Sequence, residues 1–338
     1  MIDNRKYGID VARLLSMFFV VLLHNLGRGG VLDWALSSPR SLAYVTLENV
    51  AIVAVNVFAL ISGYLCSGRS LKPRRLFDLW SSAFFWSVLL AIVGILKGSA
   101  PGVWTARAFF PLLGNVYWYL SAFIVLQLIT PILSAGIDRL GREKTLVLSM
   151  SIVAACSVIG FTEWRGIGDG YTAFWLMVLW LVGRSLCDYR EEILNLITTS
   201  RLIVASTLLP LCVTWFELRD ATAGYDPSRW LSYISPTVVI QSICLFELLL
   251  RVKIGSTRIK KVLVAMSSAA FGVYLIDSSG WFYGFWLNDR FAWVNTLPTR
   301  IGVPLILLLS ALMFLAFLLA EWLRRLMVAQ ILDVRKSR

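Results

Sequence analysis

The chain opens with RKYGIDVARLLSMFFVVLLHNLG, residues 5–27, a long apolar run that nevertheless carries Asp10, Arg13 and the protein's sole histidine, His24. Its length is that of a helix crossing a bilayer, which needs about 20 predominantly apolar residues. The run has no small-residue cleavage pattern and bears two charges near its start, so it reads as a retained helix and not as a removed leader.

The rest of the chain follows the same pattern. Of 338 residues, 58% are hydrophobic and only 15% charged, and the mean hydropathy is +0.74. Soluble domains carry about 25% charged residues. Ten apolar runs lie near 8–27, 44–66, 77–96, 116–136, 145–162, 171–187, 201–217, 232–250, 262–287 and 300–323. The expected fold is all-α: a polytopic bundle of about ten membrane helices in one domain spanning 1–338, with its core at 8–323 and a basic tail at 324–338. Pro131, Pro210, Pro236 and Pro304 fall inside expected spans, where neighbouring helices can satisfy the freed backbone groups.

Orientation follows from Lys and Arg. With the N-terminus inside, the inner segments hold 22 of these residues and the outer segments 9, so both termini are expected in the cytoplasm. The net charge of +12 belongs to these loops, and nucleic acid is not an expected partner. Five scattered cysteines without CxxC spacing read as small buried hydrophobes, and no metal-ligand cluster is expected. Phosphate-binding glycine patterns lack a usable context, which argues against ATP-driven chemistry.

Charges within a span cost about 2.5–3.5 kcal/mol each on insertion scales. Arg13 and His24 are 11 residues apart, about three helical turns, so they share a face about 16 Å apart along the axis. Asp10 lies one turn before Arg13 on nearly the same stripe. One reading is an interior pathway. The other is a local Asp10–Arg13 pair at the membrane edge, with His24 reaching outward. Asp277, in FGVYLIDSSGWFYGFW, lies at the same depth as His24, about 22 Å from the inner edge. It either orients the imidazole or caps a kink beside Ser278, Ser279 and Gly280. Glu48 and Asn49 also reach that level. The inner loop SGRSLKPRRLF gathers Arg69, Lys72, Arg74 and Arg75, which reads as topology charge or as a site for phosphates or anionic membrane lipid.

These residues resemble acyltransferase family 3, the integral-membrane O-acyltransferases. IDVARLLSMFFVVLLH is similar to that family's opening, with an arginine, ten residues and a histidine, matched by Arg13 and His24, and an acid three residues ahead, matched by Asp10. VNVFALISGYL resembles its second-span motif and places Asn56, Ser62 and Gly63. KPRRLF, YWYLSAFIVLQLITPIL and SSAAFGVYLID resemble later motifs in the same order. The chain departs from the pattern at Tyr117 and Asp277, where histidines are common, and at Asp78, where an arginine is expected.

The resemblance implies transfer of an acyl group, usually acetyl, from cytoplasmic acyl-CoA to a hydroxyl of a cell-surface or lipid-linked glycan. It implies a multi-pass protein of a bacterial plasma membrane, with acetyl-CoA as donor substrate and no permanently bound cofactor. Arg69, Arg74 and Arg75 would hold the CoA phosphates, and Arg13 would lie beside the pantetheine arm or a phosphate at its inner end. His24 would serve as general base or acyl carrier, oriented by Asp277, with Asn56 and Ser62 as polar contacts to the donor or a developing oxyanion. A different class of reading, a transporter or flippase for an anionic lipid-linked sugar, also accommodates intramembrane charge and proline-broken helices. The chain lacks the evident paired halves that transporters often show.

Overall fold

Apolar runs bounded by caps and prolines determine where the helices begin. In the computed structural model, which describes residues 5–32, 41–65, 73–98, 106–113, 116–161 and 165–336, helix is the only extended regular element among the described residues. The helices are α1 Tyr7–Leu26, α2 Ser41–Ala51, α3 Ala54–Leu65, α4 Pro73–Leu96, α5 Trp118–Leu140 and α6 Arg142–Phe161. They continue as α7 Ala173–Asp188, α8 Arg190–Leu196, α9 Thr199–Thr222, α10 Pro236–Leu250, α11 Thr257–Asp277 and α12 Thr299–Lys336. Thr172, Thr198 and Ser256 cap α7, α9 and α11 by accepting a backbone N–H three residues on.

Each of the ten expected runs coincides with helix, and the protein is an all-α polytopic bundle. Among the described residues, seven helical segments are long and apolar enough to cross a membrane. The other three expected spans are α6, α7 and α10, with 20, 16 and 15 residues.

Four boundaries differ from the expectation for identifiable reasons. The second span is two helices, α2 and α3, separated at Ile52 and Val53. Pro236 does not interrupt a span; it opens α10 at the first helical position, where its missing N–H costs nothing. The ninth span ends at Asp277 and gives way to a turn and a π-helical stretch, Phe282–Trp286. The last span runs past 323, because α12 continues as helix through Lys336 with no proline or glycine after Pro304 to stop it.

Burial ranks the helices. In α1 and in the α2–α3 span, 61% and 67% of the crossing segment is buried, against 22% in α4 and α12. The first two therefore form the centre, and α4 and α12 lie at the periphery. Helix α1 packs against α2, α3, α10, α11 and α12.

Glycine permits the closest approaches. A Cβ at Gly63 of α3 would lie 2.0 Å from the Trp180 carbonyl oxygen, and one at Gly183 of α7 would lie 2.2 Å from that of Leu60. Small residues that let backbones touch are the usual cement of membrane helices, where lipid supplies no hydrophobic drive. Gly63→Val should therefore push α3 and α7 apart and cost at least about 1–3 kcal/mol. A thermal unfolding midpoint measured in detergent should fall accordingly. Gly136→Ala, at a position with nothing within 4 Å of a Cβ, should leave the midpoint unchanged.

Candidate active site

Two polar centres lie along α1, one at each end of the stripe read from the sequence. At the inner end, the Asp10 carboxylate is 2% exposed and acts as a hub. Arg5 donates to both of its oxygens at 2.8 and 2.7 Å, and Ser267 of α11 donates to Oδ1 at 2.6 Å. Arg13 approaches the same oxygen at 3.5 Å. Three partners match the demand of a carboxylate withdrawn from water. Asp10 thus ties the start of α1 to α11 and steadies the Arg13 guanidinium.

Farther along, His24 meets Asp277. Its Nδ1 lies 2.5 Å from Asp277 Oδ2, although the two residues are 253 apart in sequence. Asp277 is fully buried, whereas the His24 side chain is one-quarter exposed. Asp277 is the last residue of α11, but its side chain meets His24 and its other oxygen, Oδ1, has no hydrogen-bond partner, so the geometry favours the orienting reading over the capping one. An ionised carboxylate here fixes the proton on Nδ1 and leaves Nε2 as the basic nitrogen. The ring of Tyr283 packs edge-on against the imidazole with centroids 4.6 Å apart. Arg28 steadies that segment by donating to the carbonyls of Tyr283 and Gly284 at 3.3 and 3.0 Å.

A cavity of about 890 Å³ opens at the inner end of the bundle. Arg13, Arg75, Arg324 and Arg325 line it, opposed by Asp78 and Glu321. Glu321 is already committed, since it accepts from Trp86 at 2.7 Å and from both ends of the Arg324 guanidinium at 2.8 and 2.7 Å. Arg324 also donates to Ser82 at 2.9 Å, and Arg325 donates to Ser268 Oγ at 2.9 Å. The wall is therefore cationic on balance, and its size suits a ligand of several hundred Å³. Deeper in, it is lined by Phe58, Tyr119 and Leu275. Leu275 lies two residues before Asp277, and His24 is not on the wall.

The remaining expected site residues divide. Ser62 and Arg75 are on the cavity wall, whereas Arg74 is exposed and off it. Arg69 lies outside the described residues. Asn56 is fully buried, and its amide is spent on packing: it donates to the Tyr233 carbonyl at 2.9 Å and accepts from Trp175 at 3.1 Å. At the departure Tyr117, the hydroxyl donates to the Leu275 carbonyl at 2.9 Å and so braces the turn leading to Asp277. Asn49 and Glu48 belong to a separate cluster on α2. Sequence reasoning missed Arg324 and Arg325 as cavity residues and Tyr283 as the ring against His24. The signal for the first two was Glu321, one turn ahead on an otherwise apolar helix.

The family model described as an acyltransferase domain matches residues 6–324, nearly the whole chain, and the protein belongs to that family. No curated protein and no solved structure matches it. The protein is thus a multi-pass membrane acyltransferase.

The Asp10 hub has a measurable consequence. Removing the Asp10 carboxylate leaves Ser267 and two partly exposed guanidiniums without their shared acceptor, a loss of about 1–3 kcal/mol. Asp10→Ala should therefore lower the unfolding midpoint, whereas Asp78→Ala, at an exposed carboxylate, should change it little. Equal midpoints for the two variants would remove Asp10 from its structural role.

Proposed function

We propose that this acyltransferase moves an acetyl group from acetyl-CoA, entering at the inner cavity, to a hydroxyl of a cell-surface or lipid-linked glycan, with His24 as the general base. The observation that carries this reading is that the same two helices, α1 and α11, contribute to a cationic cavity of nucleotide size and bring His24 and Asp277 together.

The proposed roles follow from charge and reach. Arg75, Arg324 and Arg325 hold the CoA phosphates through charge-assisted contacts. Arg13, its guanidinium steadied by Asp10, guides the donor arm toward the interior, and Ser62 borders the same cavity. Phe58 and Tyr119 line the cavity, and Tyr119 packs against Phe58 and against Tyr274 of α11 with centroids 6.3 and 6.0 Å apart, so these rings would have to shift for a thioester to reach the imidazole. His24 Nε2 takes the acceptor hydroxyl proton as the oxygen attacks the thioester carbonyl. The C–S bond breaks, an ester C–O bond forms, and the proton passes on to the CoA thiolate. Transfer through a transient acyl-imidazole uses the same nitrogen and gives the same balance. Asp277 keeps the ring oriented and stabilises the imidazolium that forms. The setting is a bacterial plasma membrane with the arginine-rich end toward the cytoplasm.

The test uses membranes containing wild-type protein or His24→Ala at matched expression, supplied with acetyl-CoA labelled in the acetyl group. Label in the glycan or lipid-linked sugar fraction should fall about 10²–10⁴-fold in the variant. Arg75→Ala with Arg324→Ala should weaken acetyl-CoA binding about tenfold or more, each charged contact contributing about 1.5–3 kcal/mol. Undiminished label with His24→Ala would refute the proposed catalyst. Absence of label together with absence of acetyl-CoA binding in the wild type would favour the transporter.

A further inference from the structure

The second span breaks inside the bundle, where α2 ends at Ala51 and α3 begins at Ala54, both fully buried. A helix ending in an apolar interior leaves carbonyls without helical donors and concentrates negative partial charge there. Gln241 Nε2 of α10 meets one of these, the Asn49 carbonyl, at 2.9 Å. Asn49 Nδ2 donates to Glu217 Oε2 at 2.8 Å and to Thr214 Oγ1 at 3.1 Å, both on α9. Thr214 in turn donates to the Pro210 carbonyl at 2.8 Å, beside the proline that interrupts that helix.

Two acceptors of the cluster remain unmet. Asn49 Oδ1 and Gln241 Oε1 are buried with no hydrogen-bond partner, on residues 1% and 3% exposed. Glu48, one residue before Asn49, lies within the field of the Glu217 carboxyl. Among the described residues neither glutamate forms an ion pair. Charged groups on the neighbouring elements are engaged elsewhere: Asp220 with Arg229, His24 with Asp277, Glu247 with Arg190, and Arg219 over the Trp215 ring. Arg300 of α12 is exposed. The buried Glu217 carboxyl and two unmet buried amide oxygens, with the half-buried Glu48 beside them, form a surplus of negative ends at a helix C-terminus in a medium that hydrates them poorly. Broken helices in membrane proteins resolve such a surplus with a small cation.

We propose that Glu48, Asn49, Thr214, Glu217 and Gln241 form a buried site for a monovalent cation, in which sodium and a proton compete for the same oxygens. The site is distinct from the inner cavity, none of whose wall it shares, and it does not depend on the reaction proposed above. The bound cation braces the break between α2 and α3 against α9 and α10.

The test is thermal unfolding of the purified full chain in sodium chloride or choline chloride at matched ionic strength, each at neutral and at acidic pH. Sodium should raise the neutral-pH midpoint by about 3 °C or more once it exceeds its dissociation constant about tenfold. The gain should shrink in acid as protons fill the site. Glu217→Gln should abolish the sodium dependence, and His24→Ala should retain it. A wild type indifferent to sodium but stabilised by acid, with that response lost in Glu217→Gln, would assign the site to the proton. If Glu217→Gln does not fold, binding of radioactive sodium to the wild type reads the same site, with one acid-displaced ion expected per chain. Midpoints equal in both salts and unchanged by acid, with no bound sodium, would overturn the proposal.

Discussion

Hydrocarbon cannot hydrate a charge, so each charged side chain inside the bundle must be answered by another group of the protein. That constraint shapes α1 more than any other element. Asp10 answers Arg5, Arg13 and Ser267, and Asp277 answers His24. Both contacts join α1 to α11, so the two helices are held together at two depths by polar ties in an otherwise apolar interface. The central position of α1 follows, because a helix with a polar stripe must turn that stripe toward protein.

The same ties divide the interior in two. Below, arginines from α1, α4 and α12 converge on one cavity although they lie up to 312 residues apart. Above, an imidazole with one nitrogen committed to a carboxylate keeps a quarter of its surface accessible. Phe58 and Tyr119 belong to the cavity wall, and Tyr119 packs on Tyr274 of the helix that ends at Asp277.

Much of this was legible in the sequence because the signals were strong and one-dimensional. Ten apolar runs located the helices, and equal counting from the inner ends of the first and ninth spans put His24 and Asp277 at one depth. That α1 and α11 are neighbours, which turns equal depth into contact, came only with the structure. Other features depended on packing and escaped. The motif residue Asn56 looks like a substrate contact, but Trp175 and the Tyr233 carbonyl consume its amide. Arg324 and Arg325 look like topology charge because their counterparts, Glu321, Ser82 and Ser268, are distant or ambiguous in sequence. The break after Ala51 leaves no trace in hydropathy, since both halves and the hinge are apolar.

The central claim is that an acyl donor is held in the inner arginine cavity and reaches His24 from there. The most direct measurement is photo-crosslinking of a CoA analogue to the purified protein, with the attachment sites mapped by mass spectrometry. The account predicts adducts on the peptides of α4, α11 and α12 that bear Arg75, Ser268 and Arg324, competed away by acetyl-CoA. Adducts confined to the opposite end of the bundle, around Arg28 and Tyr283, would contradict it.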